Sequence, residues 1–334
     1  MTMILAGDVG GTKSNLGLFL KEGPSLRLVF QRRMATRDYT GFENLIADFL
    51  QHCERENPGA LGQGIDAAEF GVAGVLVGGN LHAENLPWVL NVSALKRNLG
   101  LNDIVFLNDL TATALSLDRL PAKDFVILNQ GNPERHTTKG VIAAGTGLGE
   151  AILFWDGGQY RVAPSEGGQG DFAPRGEREI QLLRHLQSQL QHVSWEDIIS
   201  GRGFHRIHEF LDPARIHPSF ESSEGDRASE ITRKGLERSC QACEQTLELW
   251  TEIYGAATGN FALQSLALGG IYIAGGIAVK ILPKLQEGKF FQSFCGKGKL
   301  APLLARIPIS VVINEDAPIW GAAYEALRSS EGHR

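Results

Sequence analysis

Two glycine-rich turns, each lying between two short apolar segments, constrain the fold of this 334-residue chain more than any other feature. The first runs through Gly7-Asp8-Val9-Gly10-Gly11-Thr12, and the second is Gly145-Thr146-Gly147-Leu148-Gly149. The segments on either side of each turn are typical of strands, and further strand and helix patterns follow both turns. Although the sequence shows no strict repeat, this layout predicts two α/β halves that each contribute one hairpin to a shared cleft.

Both turns have the composition of a phosphate-binding loop. Their glycines leave several backbone N–H groups bare, and each turn adds one threonine hydroxyl as a donor. The Walker motif is excluded because no turn ends in Gly-Lys-Ser/Thr. The dinucleotide fingerprint is excluded because Ala151–Trp155 has the pattern of a strand where that motif needs a helix. Either turn alone could be an ordinary tight turn in a chain with 40 glycines; a matched pair favours phosphate binding.

Two acidic residues, Asp8 and Asp109, could take part in the chemistry. Asp8 would face the bound phosphates, and a carboxylate in that position predicts Mg²⁺, held directly or through water. Asn108-Asp109 follows a buried strand and opens a helix, which is where α/β sheets place ligands. Asp109 could cap that helix, accept the proton of a hydroxyl that attacks the γ-phosphate, or do both.

A second polar cluster lies in the run from Pro164 to Pro174. Two glycines separate Glu166 from Gln169, so both side chains could point into one pocket, where carboxylate and amide groups suit sugar hydroxyls. An ordinary polar surface loop would have the same composition. Glu196 is a third candidate, although an acid in a first helical turn is more often simply solvated.

The composition narrows the class of protein. The net charge of −6 gives no electrostatic reason to expect nucleic acid, and no apolar run is long enough to span a membrane. The N-terminal residues lack a secretion signal, so a cytoplasmic protein is expected. Cys240 and Cys243 lie at i and i+3 of a helical pattern with no further zinc ligands at suitable spacing, and are therefore expected to be buried core thiols.

The order of these motifs resembles that of the bacterial glucokinase family, a branch of the sugar kinase/Hsp70/actin-like ATPase superfamily. The resemblance covers essentially the whole chain. The matching segments are the two glycine-rich turns, Asn108-Asp109, Glu166-Gly167-Gly168 followed by Asp171-Phe172-Ala173-Pro174, and Ile273-Ala274-Gly275-Gly276-Ile277.

The resemblance implies a two-domain α/β actin-like ATPase (ribonuclease H-like) fold with a central cleft that closes on glucose. The small domain would be residues 1–109 plus 317–334, and the large domain residues 110–316. A homodimer is expected. ATP and Mg²⁺ would be the cofactors, and Asp109 would be the catalytic base. The sugar would contact Asn108, Asp109, Glu166, Gln169 and Glu196; the nucleotide and Mg²⁺ would contact Gly7, Asp8, Gly10, Gly11, Thr12, Gly145, Thr146, Gly147, Gly275 and Gly276.

Two residues depart from the family pattern. Gln169 stands where the family usually has histidine, and Lys13 stands where the glucokinase branch tends to have asparagine. Lysine there also occurs in the related repressor–kinase family, but this chain lacks that family's cysteine-rich zinc motif. The predicted reaction is phosphorylation of glucose at its 6-hydroxyl. The alternatives are a kinase for mannose, fructose or an amino sugar, because of Gln169, and a sensor that binds ATP and sugar without transferring phosphate.

Overall fold

A computed structural model describes residues 2–62, 64–72, 74–77, 80–82, 86, 88, 90–99, 104–214 and 224–332. The chain divides into two compact units. Unit 1 comprises Met1–Pro121 together with Asn314–Arg334, and unit 2 comprises Ala122–Ile313.

The strands, in chain order, are β1 Met3–Val9, β2 Lys13–Glu22, β3 Ser25–Ala35, β4 Ala67–Val72, β5 Val75–Val77, β6 Asn80–His82, β7 Leu90–Asn91, β8 Ile104–Asn108, β9 Phe125–Asn129, β10 Lys139–Ala144, β11 Leu148–Trp155, β12 Tyr160–Ser165, β13 Gly270–Ala274 and β14 Ile309–Val312. The helices are α1 Phe42–Glu56, α2 Val92–Leu99, α3 Asp109–Ser116, α4 Glu177–Gln187, α5 Trp195–Ile198, α6 Gly201–Leu211, α7 Glu224–Leu236, α8 Gln241–Ser265, α9 Gly276–Lys280, α10 Leu282–Gln286, α11 Lys289–Cys295, α12 Ala301–Ala305 and α13 Ala317–Gly332. Within the described ranges, no helix combines the length and the apolar character that crossing a membrane requires.

Unit 1 is built on a five-stranded sheet of order β3-β2-β1-β4-β8. The β1–β2–β3 pairs are antiparallel, and the β1–β4 and β4–β8 pairs are parallel. Strand β1 is buried on both faces because its side chains alternate between two clusters. Ile4 and Ala6 pack with α13, whereas Met3, Leu5 and Val9 pack with α1.

The apolar stripe of α1 confirms the helix that its spacing predicts. Phe42, Leu45, Ile46, Phe49 and Cys53 are all fully buried, and they recur at intervals of three and four residues. Burial of this stripe stabilises the packing of α1 on the sheet, because each Å² of apolar surface removed from water contributes about 25 cal/mol. The Cys53 thiol is therefore a core side chain.

Unit 2 repeats the layout of unit 1. Its sheet has the order β12-β11-β10-β13-β14-β9, in which β10–β11–β12 is antiparallel and β10–β13–β14 is parallel. In both units a glycine-rich turn joins the first two strands of the antiparallel part. The helix α8 supplies the largest buried side chains of this unit, Trp250 and Tyr254.

The boundary between the units lies later in the chain than residue 109, the position expected from the sequence. Helix α3 belongs to unit 1 because it packs against α13. The approach is so close that a Cβ at Gly321 would lie 1.7 Å from the carbonyl oxygen of Ala112. Only glycine can occupy that position, and α3 therefore stays with the C-terminal helix rather than with the residues that follow it.

Candidate active site

The first glycine turn joins β1 to β2 and is held by Thr36. The N–H of Gly10 donates to the carbonyl oxygen of Lys13 at 3.1 Å, which closes the turn. The Thr36 hydroxyl donates to the Gly10 carbonyl oxygen at 2.6 Å, and the Thr36 N–H donates to the Thr12 carbonyl oxygen at 3.0 Å. These bonds fix the backbone of the turn, while the side chain of Thr12 remains exposed.

Gly7 does not lie in the turn, where the sequence prediction placed it. It lies inside β1 and is buried. A Cβ at this position would lie 2.5 Å from Cδ2 of Leu16 and 2.8 Å from the ring of Phe70. The glycine is therefore required by packing within unit 1.

Asp8, Asn108 and Asp109 come together at one edge of the sheet in unit 1. The parallel register pairs Asp8 with Gly71, and Val72 with Asn108, so the carboxyl ends of β1, β4 and β8 are level. Open α/β sheets present their ligand-binding residues at this edge.

Asn108, not Asp109, is the N-cap of α3. Its Oδ1 accepts hydrogen bonds from the N–H of Leu110 at 3.0 Å and from the N–H of Thr111 at 3.2 Å. Asp109 is the first helical residue, and its Oδ1 accepts from the same Leu110 N–H at 2.8 Å. Because Asn108 provides the cap, the Asp109 carboxylate need not serve that purpose alone.

The carboxyl groups of Asp8 and Asp109 share poorly solvated surroundings. Burial, and then the negative charge of Asp109, raise the pKa of Asp8 to about 7. Burial also raises the pKa of Asp109, against the opposing effect of its backbone hydrogen bonds. Two neighbouring carboxylates removed from water suit a divalent cation, which would compensate both charges.

The second glycine turn joins β10 to β11 in unit 2 and is held by Glu196. The N–H of Gly145 donates to the Gly147 carbonyl oxygen at 2.8 Å. The N–H of Leu148 donates to Oε2 of Glu196 at 3.0 Å. A Cβ at Gly147 would lie 2.5 Å from the same carboxylate oxygen, so a larger residue here would displace the Glu196 carboxylate.

The predicted sugar loop lies beside Glu196 in unit 2. Residues Gly167–Gln169 form one turn of 3₁₀ helix, and the side chains of Glu166 and Gln169 are exposed. The N–H of Trp195 donates to the Gly170 carbonyl oxygen at 3.0 Å, which ties the loop to α5. Glu166, Gln169 and Glu196 are thus brought to one region of unit 2.

Glu150 lies behind the sugar loop, and the sequence motifs did not predict it as a site residue. It lies on β11, is 8% exposed, and burial raises its pKa to about 7. A Cβ at Gly167 would lie 2.1 Å from its Oε2. Glycine at position 167 therefore lets the loop pass over this carboxyl group without displacing it.

A cavity of about 450 Å³ opens beside the second glycine turn. Its walls combine apolar side chains, hydroxyl groups and two cationic side chains, and come from the turn, α6, α7, α9 and the residue after α9. The lining residues are Gly145, Thr146, Gly201, Arg202, Phe204, Ala228, Ser229, Thr232, Ile277, Lys280 and Ile281. The volume and the mixed lining are typical of sites for small organic ligands.

The predicted Gly275-Gly276 turn leads from β13 into α9, which lines this cavity. Gly275 has φ of +88°, and a Cβ there would lie 2.6 Å from the Ala144 carbonyl oxygen. Gly276 is the first residue of α9, and a Cβ there would meet no atom within 4 Å. The glycines thus let α9 start directly at the end of the strand.

The sequence motifs missed Thr36, Glu150 and the α7 wall of the cavity. Thr36 is 24 residues away from Thr12 in the sequence, and its two hydrogen bonds depend on how β3 runs beside β2. Glu150 carried one usable signal, because a charged residue inside an apolar strand pattern implies a specific environment. Ala228, Ser229 and Thr232 have an ordinary helical spacing that points to no ligand.

The chain is similar to known proteins over nearly its whole length. The family model described as Glucokinase matches residues 5–329. The glucokinase of Nostoc punctiforme is 37% identical, with 98% of this chain and 100% of the relative covered. The crystal structure of a glucokinase from an Antarctic psychrotroph is 25% identical, with a TM-score of 0.84 and coverage of 98% and 99%. The fold is also shared, at a TM-score of 0.77 and 22% identity over 98% and 94% of the chains, with a glucokinase from Balamuthia mandrillaris solved with glucose.

The fold and the family match define a sugar kinase of the actin-like ATPase class, which confirms the predicted α/β fold. The chain belongs to the glucokinase family. In the described part of the chain, no group of three or more His, Cys, Asp or Glu side chains is arranged to hold a metal ion.

Proposed function

We propose that this protein transfers the γ-phosphoryl group of ATP to the 6-hydroxyl of glucose, with Asp109 as the general base. The observation that carries the proposal is the position of Asp109, beside Asp8 and the first glycine turn at the carboxyl edge of the unit 1 sheet. Family membership supports glucose as the sugar, because the relatives that cover the whole chain are glucokinases.

The cavity of unit 2 supports nucleotide binding. Phe204, Ile277 and Ile281 provide apolar walls for a base, and Arg202 and Lys280 provide positive charge for phosphates. Thr146 of the second glycine turn lines the same cavity, so the phosphates would lie against bare backbone N–H groups.

Glu166, Gln169 and Glu196 support sugar binding in unit 2, and Asn108 and Asp109 support it in unit 1. Carboxylate and amide groups pair well with sugar hydroxyls, which donate and accept hydrogen bonds together. In the transfer, Asp109 accepts the proton of the 6-hydroxyl as its oxygen bonds to the γ-phosphorus and the bond to the ADP oxygen breaks.

Mg²⁺ fits the carboxyl groups of unit 1. Asp8 would hold the ion, directly or through water, because its carboxyl group is buried beside that of Asp109 and is poorly compensated without a cation. When bound, Mg²⁺ neutralises charge on the phosphates. The protein's own contribution is to fix the Asp8 carboxylate at the end of β1.

The decisive experiment measures ADP release with glucose in wild type and in Asp109→Asn. The variant should lose at least about 10²-fold in kcat, the usual contribution of a positioned base, while calorimetry still detects glucose binding. Asp38→Asn, an exposed aspartate of the same unit, is the matched control and should retain wild-type kcat. Near-normal turnover in Asp109→Asn would remove this residue from the role of base.

A panel of glucose, mannose, fructose and glucosamine tests the substrate. Glucose should have the highest kcat/KM; turnover of another hexose without glucose would contradict the proposal. Gln169→His in the same panel tests whether Gln169 sets selectivity. Sugar binding without ADP release would indicate a sensor instead. The homodimer and the cytoplasmic location stay predictions, and light scattering of the purified protein tests the first.

A further inference from the structure

The start of α8 carries two cysteines, Cys240 and Cys243, whose sulfur atoms are neighbours. Cys240 is the N-cap of the helix, and its Sγ accepts a hydrogen bond from the Cys243 N–H at 3.4 Å. Two cysteines three residues apart at a helix start have side chains about 5–6 Å apart at Cβ or closer, within reach of a disulfide after a small adjustment.

Both cysteines pack in the core of unit 2, as expected for core thiols, but they differ in exposure. Cys243 is fully buried in the core of unit 2, but Cys240 is only partly buried. A reagent in solution can therefore meet the Cys240 sulfur, while Cys243 lies directly behind it. This division between an accessible and a buried thiol is what an attacking and a resolving cysteine require.

The Cys240 sulfur lies at the N-terminal end of α8. The Cys243 N–H and the positive end of the 25-residue helix α8 both point toward it. A hydrogen bond to Glu230, and then the charges of Glu230, Cys243 and Cys240, raise the pKa of Lys234, which lies in the last turn of α7. Glu230 pairs with Lys234 at 2.8 Å and holds the ammonium group in place.

We propose that Cys240 and Cys243 form a redox-active dithiol that hydroperoxides oxidise to an intramolecular disulfide. The Cys240 thiolate attacks the terminal peroxide oxygen, the O–O bond breaks, and the alkoxide leaves with the thiol proton as an alcohol. The Cys243 sulfur then attacks the Cys240 sulfenic acid, the S–O bond breaks, and the departing hydroxide takes the Cys243 proton as water. The two thiols lose two electrons in total, and the hydroperoxide is reduced to alcohol and water.

Burial explains why Cys243 resolves rather than attacks. Loss of solvation, followed by its hydrogen bond to Cys240, raises the pKa of the Cys243 thiol. It therefore keeps its proton until the hydroxide leaving Cys240 removes it. The reverse order would need an oxidant to reach a side chain with no exposed surface.

The dithiol lies against the helix that lines the nucleotide cavity. A Cβ at Gly235 of α7 would lie 2.8 Å from the Cys243 carbonyl oxygen, so the end of α7 rests directly on the start of α8. One to two turns earlier, Ala228, Ser229 and Thr232 of α7 line the cavity. Drawing the two sulfur atoms together shifts the backbone at this contact, so oxidation should weaken ATP binding; this second step rests on the proposed function.

The test treats the reduced protein with hydrogen peroxide, blocks the remaining thiols with N-ethylmaleimide, and maps the peptides by mass spectrometry. Wild type should lose two of its four thiols and yield one Cys240–Cys243 cross-linked peptide that dithiothreitol reverses. Cys240→Ser should yield no cross-link; serine is a good N-cap, so the helix start is retained. Cys295→Ser, which removes the other partly buried cysteine, is the matched control and should cross-link like wild type.

Oxidation that stops at Cys240 sulfenic or sulfinic acid, without a cross-link, overturns the dithiol. So does a cross-link that forms only through Cys295 or Cys53. These results are read from peptides and do not depend on catalysis, so they stand apart from any failure of the proposed kinase activity. In the oxidised wild type, KM for ATP should rise about fivefold, with KM for glucose unchanged. An unchanged KM for ATP in fully cross-linked protein overturns the link to α7.

Discussion

Replacing Glu150 with glutamine should change how the stability of the protein depends on pH. Glu150 lies on β11 under the sugar loop, with Oε2 against Gly167. It is 8% exposed, and burial raises its pKa from 4.5 to about 7. The folded protein therefore binds this proton more tightly than the unfolded chain does. The contribution of Glu150 to the free energy of unfolding is therefore largest below pH 4.5, falls as the pH rises toward 7, and then levels off.

The magnitude follows from the size of that shift. A change of about 2.5 pKa units corresponds to about 3 kcal/mol between low pH and pH 8. Glutamine resembles the protonated side chain in size and carries no charge, so Glu150→Gln should lack this loss. Relative to wild type, the variant should gain up to about 3 kcal/mol at pH 8 and less than about 1 kcal/mol at pH 5.

Scanning calorimetry at pH 5, 6, 7 and 8 measures the difference. A unit of this size gains about 2–4 °C in Tm per kcal/mol, so at pH 8 the shift is several degrees. An unpaired amide would lower the stability of the variant by the same amount at every pH. The test is therefore the change of Tm with pH, compared between the variant and wild type. Glu166→Gln, at an exposed neighbouring position, should follow the wild-type slope. Parallel pH profiles for wild type and Glu150→Gln would refute the buried, proton-binding carboxyl group.

Three further predictions concern the two glycine turns. Gly147→Ala should cost about 1–3 kcal/mol and raise KM for ATP, because its Cβ displaces the Glu196 carboxylate; Gly145→Ala, whose Cβ meets nothing within 4 Å, is the control for Tm. Thr36→Val should cost about 1–2 kcal/mol in chemical denaturation and raise KM for ATP, since the hydroxyl bonded to the Gly10 carbonyl is lost. The Mg²⁺ concentration for half-activation should rise about tenfold per pH unit below pH 7, where Asp8 holds a proton that the metal must displace; titrations with Mg²⁺ at pH 6 and 7 that coincide would contradict this.

The sequence was sufficient for local features. The stripe of α1, the position of both glycine turns between strands and the strand in place of a helix after Gly149 all follow from periodicity over a few residues. The repeated layout also follows, because the order of turns and strands is visible along the chain. Each of these depends on contacts between near neighbours in the sequence.

Features set by distant contacts could not be predicted. Asn108 rather than Asp109 became the cap of α3, because the helix begins one residue earlier than the apolar pattern suggests. Helix α3 belongs to unit 1 because it packs closely against α13. That contact depends on the absence of a side chain at Gly321, more than 200 residues later in the sequence. Glycine is typical of turns, but Gly7 lies within β1. It is needed there because the side chains of Leu16 and Phe70, on neighbouring strands, leave no room for a Cβ.

Glu196 shows how one side chain can serve both parts of the proposed site in unit 2. The resemblance assigns it to the sugar, whereas in the structure its Oε2 accepts the Leu148 N–H of the second glycine turn. A carboxylate has two oxygens and about four acceptor positions, so Oε2 can hold the turn while Oε1 accepts a sugar hydroxyl. Arg202, which lines the cavity of unit 2, lies 3.6 Å from Oε1 and would offset the charge that Glu196 brings near bound phosphates. In the proposed site, the carboxylate would thereby join the turn assigned to ATP to the loop assigned to the sugar, and neither contact would require the other to break.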